Sequence, residues 1–467
     1  MLRPVNFLKK ILIVGGNDMT NEIEIKNNLI NLVSASSLAN AELKNKSNKF
    51  INNLIDSIVL KILDKKVNNS LSTLAVKETK FGNINDKIKK NHKKTINLLS
   101  DLKKVETFKP LYDKKKKIYE IYKPIGVICG VTPSTNPIAT PLNYILNSIK
   151  ARNSIIICPN PRAYKTALEL INTIKKVLLK KKISQNLVNI APKHVLRDET
   201  IIDLFNLCDK NIVTGNQIVI SRVKKSIKPF LVFGAGNVPV VVDKTADIKK
   251  AAESIVLSKS FDNSTSCSAD SVIIVDKNIY SKFIENLKIN GVYLLNKNEQ
   301  SKLDKIYYNK GMINNEIIAK NSNVILEKIG VINNKVSYKL IAYEVLNFDS
   351  KHYIFDEKIL PLVGIIPSKN MENSVELVKK TLDKKGKGHS AGIYTKSKKN
   401  IMKLSMAACV SRVIVNQPHS QSAGGSSNNY LKSTLSLGCG AWGNNLINEN
   451  LCLKDFCNIT KVVLKKK

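Results

Sequence analysis

From Asn21 to about Lys104 apolar residues recur at helical spacing among Lys and Asn, and no proline interrupts them. That pattern predicts long helices. At Ile118 the texture changes. Short continuous apolar runs now alternate with amphipathic stretches: IYEIYKPIGVICGVTP then NYILNSIKARN, NSIIICP then TALELINTIKKVLLKK, VNIAP then IIDLFNLC, followed by NIVTG, PFLVFGAGN and VPVVVD. Such runs are strands, and alternation with helices predicts an α/β fold with a parallel sheet. Sheets of this kind take ligands at the carboxyl ends of their strands. Three of the expected strand ends carry unusual residues, in TPSTNP, CPNPR and VTGN.

After Ala246 a second set follows: helix AAESIVLSKS, strand SVIIVD, helix SKFIENLKI, then LPLVGII, GIYT and RVIVN. It reads as a second α/β domain. From Leu435 the segment LSLGCGAWGNN is dense in glycine and holds the only tryptophan, Trp442. The tail NITKVVLKKK is strand-like and can pair with another element or another subunit. The expected division is a possible N-terminal extension at 1–18, a first domain at 19–233, a second at 234–434, and a glycine-rich return with an oligomerisation tail at 435–467. GGN at 15–17 lacks the G-x-G-x-x-G spacing and reads as a turn.

The 43% apolar content of the 467 residues excludes a disordered chain. No apolar run reaches the ~18 residues that span a membrane. The opening MLRPVNFLKKILIVGGND is basic with a short apolar stretch, either a weak targeting tail or a start placed too early, since Met19 begins a cleaner helical sequence. The formal charge of +38 raises the question of nucleic acid. The lysines are spread along the whole chain, however, aromatic residues make up 6%, and no nucleic-acid motif appears. A basic surface of this kind is expected to attract anionic small molecules, not nucleic acid. None of the eight cysteines forms a CxxC pair. No zinc site, no other metal site and no disulfide framework is indicated, and a cytoplasmic location fits.

One cysteine stands apart. In SKSFDNSTSCSAD, Cys267 lies between Ser266 and Ser268 at an element boundary. A structural cysteine prefers apolar surroundings, whereas a reactive one needs access and a way to form thiolate.

The motifs KPIGVICGVTPSTNP, KARNSIIICPNPRA, FGAGNVPVVVD, SKSFDNSTSCSAD, GHSAGIYT and STLSLGCGAWGNN occur in that order. The chain from about Ala75 to the C-terminus resembles the aldehyde dehydrogenase superfamily, in its coenzyme-A-acylating branch. The resemblance implies a Rossmann-like domain for NAD or NADP, a catalytic α/β domain and a small oligomerisation element in a homodimer or homotetramer. It implies that the Cys267 thiolate attacks an aldehyde, that hydride leaves to the nicotinamide, and that coenzyme A takes the acyl group from the resulting thioester. The likeness in FDNSTSCSADSVIIVD, TPSTNPIATPLN and RVIVNQPHSQSAGG implies a small anionic aldehyde, sulfoacetaldehyde, with acetaldehyde as the alternative.

By the same resemblance the side-chain amide of Asn136 and the Cys267 backbone N–H stabilise the oxyanion; by itself Asn136 before Pro137 is also a turn residue. FGAGNVP places Phe233 where hydrolytic relatives carry a glutamate base, so water is not activated and Cys267 needs another activator, a helix N-terminus or the oxyanion donors. His389 is either a proton carrier for the thiol of coenzyme A or a structural histidine. Thr132, Pro133, Pro159, Thr214, Gly215 and Gly234 fall at strand ends expected to face the cofactor, and Glu357 matches a residue holding the nicotinamide ribose. Arg162, in CPNPRA, is a partner for a ribose 2′-phosphate, or belongs with Pro161 to an adenine or coenzyme A pocket. Arg412, Lys432 and the backbone of 422–427 are open candidates for a sulfonate. Two rival readings are a basic scaffold with no need of Cys267, and a reductase of acyl phosphates indifferent to coenzyme A.

Overall fold

The computed structural model describes residues 5–196, 199–309, 311–331 and 336–465. Four helices open the chain: Val5–Lys44, Asn48–Leu63, Lys65–Thr79 and Ile84–Lys103. Ser47, Asp64 and Asn83 each cap the helix that follows by accepting from its first free N–H groups. The first helix starts well before Asn21 and runs through Gly15 and Gly16, so GGN is not a turn. A helical glycine costs only about 1 kcal/mol against alanine, which flanking helix can absorb. Of the expected extension 1–18, the first four residues lie outside the described residues.

The first sheet is parallel and five-stranded. In spatial order its strands are Val188–Ile190, Ser154–Pro159, Val127–Thr132, Lys210–Thr214 and Phe230–Phe233. The chain lays down the central strand, builds outward to one side, then returns to the other. The strand order therefore reverses beside Val127–Thr132, and a crevice opens there at the carboxyl ends. Both faces are covered. Ile128, Ile155 and Ile157 join a core with Leu54 and Ile58 of the second helix, while Cys129, Ile156 and Cys158 join another with Leu29 of the first. Burial on both faces is why these strands read as unbroken apolar runs.

The second sheet is parallel and seven-stranded: Val292–Leu294, Leu340–Glu344, Leu362–Ser368, Asp270–Asp276, Val238–Val242, Ala391–Tyr394 and Val413–Val415. VPVVVD follows the first run of strands along the chain but pairs in this second sheet, in keeping with the expected boundary at 233/234, because the chain leaves the first sheet at Gly234. The C-terminal return packs Leu451, Leu453 and Phe456 into the first core. The tail strand Cys457–Val463 then pairs antiparallel with Ile118–Pro124 of the same chain, and Leu111–Asp113 borders the other side. No helix among the described residues is long and apolar enough to cross a membrane.

Candidate active site

Five neighbouring strands of the second sheet place five residues in a row. In the spatial order Leu362–Ser368, Asp270–Asp276, Val238–Val242, Ala391–Tyr394 and Val413–Val415, the residues just ahead of the strands include Glu357, Cys267, Gly236, His389 and Arg412. The row therefore lies along the amino edge of this sheet. The link Gly234-Ala235-Gly236 joins it directly to the carboxyl edge of the first sheet. A Cβ on Gly236 would come 2.2 Å from the Cys267 carbonyl oxygen and 3.1 Å from Cε1 of His389, so only glycine lets the three meet. The Gly236 N–H donates to Glu357 Oε1 at 3.0 Å.

Cys267 is half-buried in a loop that runs straight into strand Asp270–Asp276, with no helix starting at it. Burial, with Glu357 and Cys439 nearby, pushes its thiol up to about 12, while Arg412 pulls the other way. The resting site holds a thiol. His389 is buried; that and the Arg412 guanidinium push it down to about 3, so the imidazole is neutral. Its Nδ1 shares the Ser390 hydroxyl with Nε2 of His419, at 2.8 and 2.9 Å. Its own Nε2 has no partner among the described residues. Arg412 donates to the carbonyls of His389, Gly438 and Asn448 at 2.9, 2.7 and 2.7 Å. Those bonds tie the glycine-rich return to the row and commit its charge within the protein.

Asn136 reaches the site from the carboxyl edge of the first sheet. Its Oδ1 accepts from Lys90 Nζ at 2.9 Å, which turns its NH₂ group away from the lysine; that group donates to Thr135 Oγ1 at 3.5 Å and has a second N–H available to an oxyanion. Lys90 also bonds Asp262 at 2.5 Å and Thr265 Oγ1 at 3.0 Å, five and two residues before the cysteine. Asp262, Asn263 and Ser264 all take positive φ, at 51°, 50° and 62°. A non-glycine residue there costs roughly 1–2 kcal/mol, and tertiary bonds offset it. Asp262 accepts from Lys87 at 3.1 Å and from the Asn83 N–H at 3.0 Å, and its own N–H donates to Asp86 at 2.8 Å. Burial raises the Asp262 carboxyl, but Lys90 and Lys87 outweigh it and hold the group below the usual carboxylate range.

The expected cofactor residues fall at the carboxyl edge of the first sheet. Thr132 and Pro159 end adjacent strands, and both are buried. Pro133 and Gly234 are partly exposed beside them. The Thr214 hydroxyl is taken by Tyr144 at 2.6 Å and Ser436 at 2.8 Å, so it anchors the glycine-rich return. The Gly215 N–H donates to the Phe233 carbonyl at 3.2 Å. Phe233 itself is 2% exposed and packed in the first core. Arg162 is exposed, within 3.4 Å of Asn315 Oδ1. Lys432 faces Asp101 at 3.9 Å. Glu357 is raised by burial, and its Oε2 has Lys385 at 3.9 Å.

Residues that the sequence pattern left unread complete the site. A cavity of about 910 Å³ opens on Asn136 and Ser266. Five lysines line it, Lys65, Lys89, Lys90, Lys93 and Lys94, against the single carboxylate of Asp86. Lys90 and Lys94 lie on helix Ile84–Lys103, where the buried face carries Lys87, Lys90, Asn91 and Thr95. Leu98 and Leu102 make the far end of that face apolar, but its polar first half gives no hydrophobic signal. Glu78 is likewise unread. It caps the helix Tyr164–Lys180 beside Arg162, accepting from the N–H groups of Lys165 and Thr166 at 2.8 Å each. No group of three or more His, Cys, Asp or Glu able to hold a metal occurs among the described residues.

Residues 75–294 match the sequence model of the aldehyde dehydrogenase family. Sulfoacetaldehyde dehydrogenase (acylating) of Cupriavidus necator is 31% identical over 405 residues, 86% of this chain and 82% of that protein. Succinate-semialdehyde dehydrogenase (acetylating) of Clostridium kluyveri is 30% identical over 450 residues, 95% and 96% of the two chains. Among solved structures, an acetylating aldehyde dehydrogenase from Geobacillus thermoglucosidasius superposes with a TM-score of 0.88 at 28% identity, covering 96% of this chain and 98% of that one. With likeness of 30% or more over most of both chains, and parallel sheets that superpose on a solved relative, the chain belongs to the aldehyde dehydrogenase family, in its coenzyme-A-acylating branch.

Proposed function

We propose that the protein oxidises a small anionic aldehyde, sulfoacetaldehyde, to its coenzyme A thioester. The observation that carries the substrate class is the cavity at Asn136 and Ser266, with five lysines against one carboxylate. A wall of that charge favours a sulfonate over a neutral aldehyde. The relatives named for sulfoacetaldehyde and for succinate semialdehyde act on anionic aldehydes, which supports the same reading. Acetaldehyde is the second reading, favoured by the likeness to an acetylating aldehyde dehydrogenase structure.

The chain's residues divide the work as follows. The Cys267 thiol loses its proton to solvent and the thiolate adds to the aldehyde carbon, and the oxyanion so formed takes hydrogen bonds from the Asn136 amide and the Cys267 N–H. Lys90 holds the amide in the orientation this needs. The residues present fit a nicotinamide dinucleotide: Pro133, Gly215 and Gly234 border the crevice where the strand order reverses, and Glu357 has a lightly engaged Oε2 for a ribose hydroxyl. When bound, that group supplies the acceptor for the hydride that leaves the thiohemiacetal. Phe233 offers no base for water, which leaves the acyl group on Cys267 for the thiol of coenzyme A. His389, neutral with an open Nε2, accepts a hydrogen bond from that thiol as it attacks. Arg162 is the group free to meet a 2′-phosphate, so NADP is accepted as well as NAD. The exposed Ile459, Val462 and Val463 of the tail sheet supply a contact for a homodimer or homotetramer.

The test is nicotinamide reduction by the purified protein with sulfoacetaldehyde or acetaldehyde, with and without coenzyme A, and with NAD or NADP. Reduction is expected to require coenzyme A, to favour sulfoacetaldehyde and to vanish in Cys267→Ala. Arg162→Ala is expected to lower kcat/KM for NADP more than for NAD. Reduction indifferent to coenzyme A would refute the acyl-acceptor assignment; a preference for acetaldehyde would refute the sulfonate.

A further inference from the structure

We infer that Lys94 is the specificity-determining residue that receives the anionic end of the aldehyde, an inference that rests on the anionic-substrate reading above. Lys90 and Lys94 are four residues apart on helix Ile84–Lys103, on one face and about 6 Å apart along the axis. Their situations differ. Lys90 is committed: Asp262 neutralises it, and its other bonds go to Asn136 and Thr265. Lys94 donates to the carbonyls of Gly424 and Gly425 at 3.1 Å each. No carboxylate lies within ion-pairing distance of it among the described residues.

An ammonium carries three donors, so carbonyls hold Lys94 in place while one donor and the whole charge remain unmatched. Burial, and then Lys93 and Lys90, push it down to about 7, as expected of a cation lacking its counter-ion. The fit is local. A Cβ on Gly424 would come 2.4 Å from the Thr434 carbonyl oxygen and 3.1 Å from the Lys94 ammonium, so glycine there lets the 422–427 loop pack against Thr434 beside the lysine. Both lysines line the cavity that also opens on Asn136. An aldehyde whose oxygen meets Asn136 can thus point an acidic group one helical turn along the same wall. Arg412 and Lys432, the other cations near the return, are engaged with carbonyls and with Asp101.

The same ammonium would serve a sulfonate or a carboxylate, so the experiment uses both. Kinetics at saturating coenzyme A compare sulfoacetaldehyde, succinic semialdehyde, acetaldehyde and propionaldehyde in the wild type, Lys94→Gln and Lys94→Arg. The unreactive 2-hydroxyethanesulfonate and 4-hydroxybutanoate serve as competitive inhibitors. Lys94→Gln is expected to lower the ratio of anionic to neutral kcat/KM about tenfold or more, and to weaken the matching inhibitor similarly. Lys94→Arg is expected to keep the ratio within about threefold, because it keeps the charge. Whichever inhibitor binds the wild type more tightly identifies the acid. A folded Lys94→Gln protein with an unchanged ratio and unchanged inhibition would overturn the inference while leaving the anionic-substrate reading intact. A wild type that prefers the neutral aldehydes and is not inhibited by either acid would overturn both.

Discussion

At the scale of single residues, burial favours the thiol form of Cys267, the proposed nucleophile. Cys267 is pushed up to about 12 chiefly by burial, against a smaller opposing pull from Arg412. The thiolate, which is the reactive species, is therefore scarce at neutral pH and grows about tenfold per pH unit as pH rises. Alkylation of Cys267 by iodoacetamide, read on its own peptide by mass spectrometry, is expected to speed up continuously from pH 7 to 9 without a plateau. A plateau in that range would mean that the surroundings stabilise the thiolate after all. Cys267 could be singled out from its polar neighbours in the chain. That it is held as a thiol could not, because Glu357 and Cys439 lie far along the sequence and meet it only in the fold.

At the scale of elements, helix Ile84–Lys103 and the 261–267 loop form one unit. Asp262 sits in a strained left-handed stretch and is the counter-charge of two buried lysines. Asp262→Ala is expected to cost about 3–5 kcal/mol, since it strands both charges. Asp262→Asn is expected to cost less, because asparagine tolerates the same backbone and still accepts a hydrogen bond. Denaturant unfolding of the two variants checks this, with a cost for alanine below that for asparagine as the result that would contradict it. The carboxylate's lowered pKa adds a sign. Its contribution is present above about pH 4, the unfolded value, and is lost as pH falls through the lower folded value. Nothing in the apolar periodicity of 84–103 marks this helix as part of the site, since its buried face carries Lys87 and Lys90 where leucines would be read.

At the scale of the whole molecule, the charge of +38 acts as a field that draws anions toward a cavity already lined with lysines. Turnover of sulfoacetaldehyde at low substrate is expected to fall several-fold between about 20 and 500 mM salt, while turnover of acetaldehyde changes little. Equal salt dependence for the two substrates would locate the effect on the cofactors instead. The sequence by itself determined the alternation of strands and helices, because strands covered on both faces must be apolar throughout, and the order of its motifs is what proposes roles for Cys267, Asn136 and Phe233. Only the tertiary structure decided that Arg412 is spent on carbonyls, and that Glu357, Cys267, Gly236, His389 and Arg412 stand in one row. Strand order and long-range charge pairing bring together residues far apart along the chain, and no local pattern records which distant partner a strand or a lysine will find.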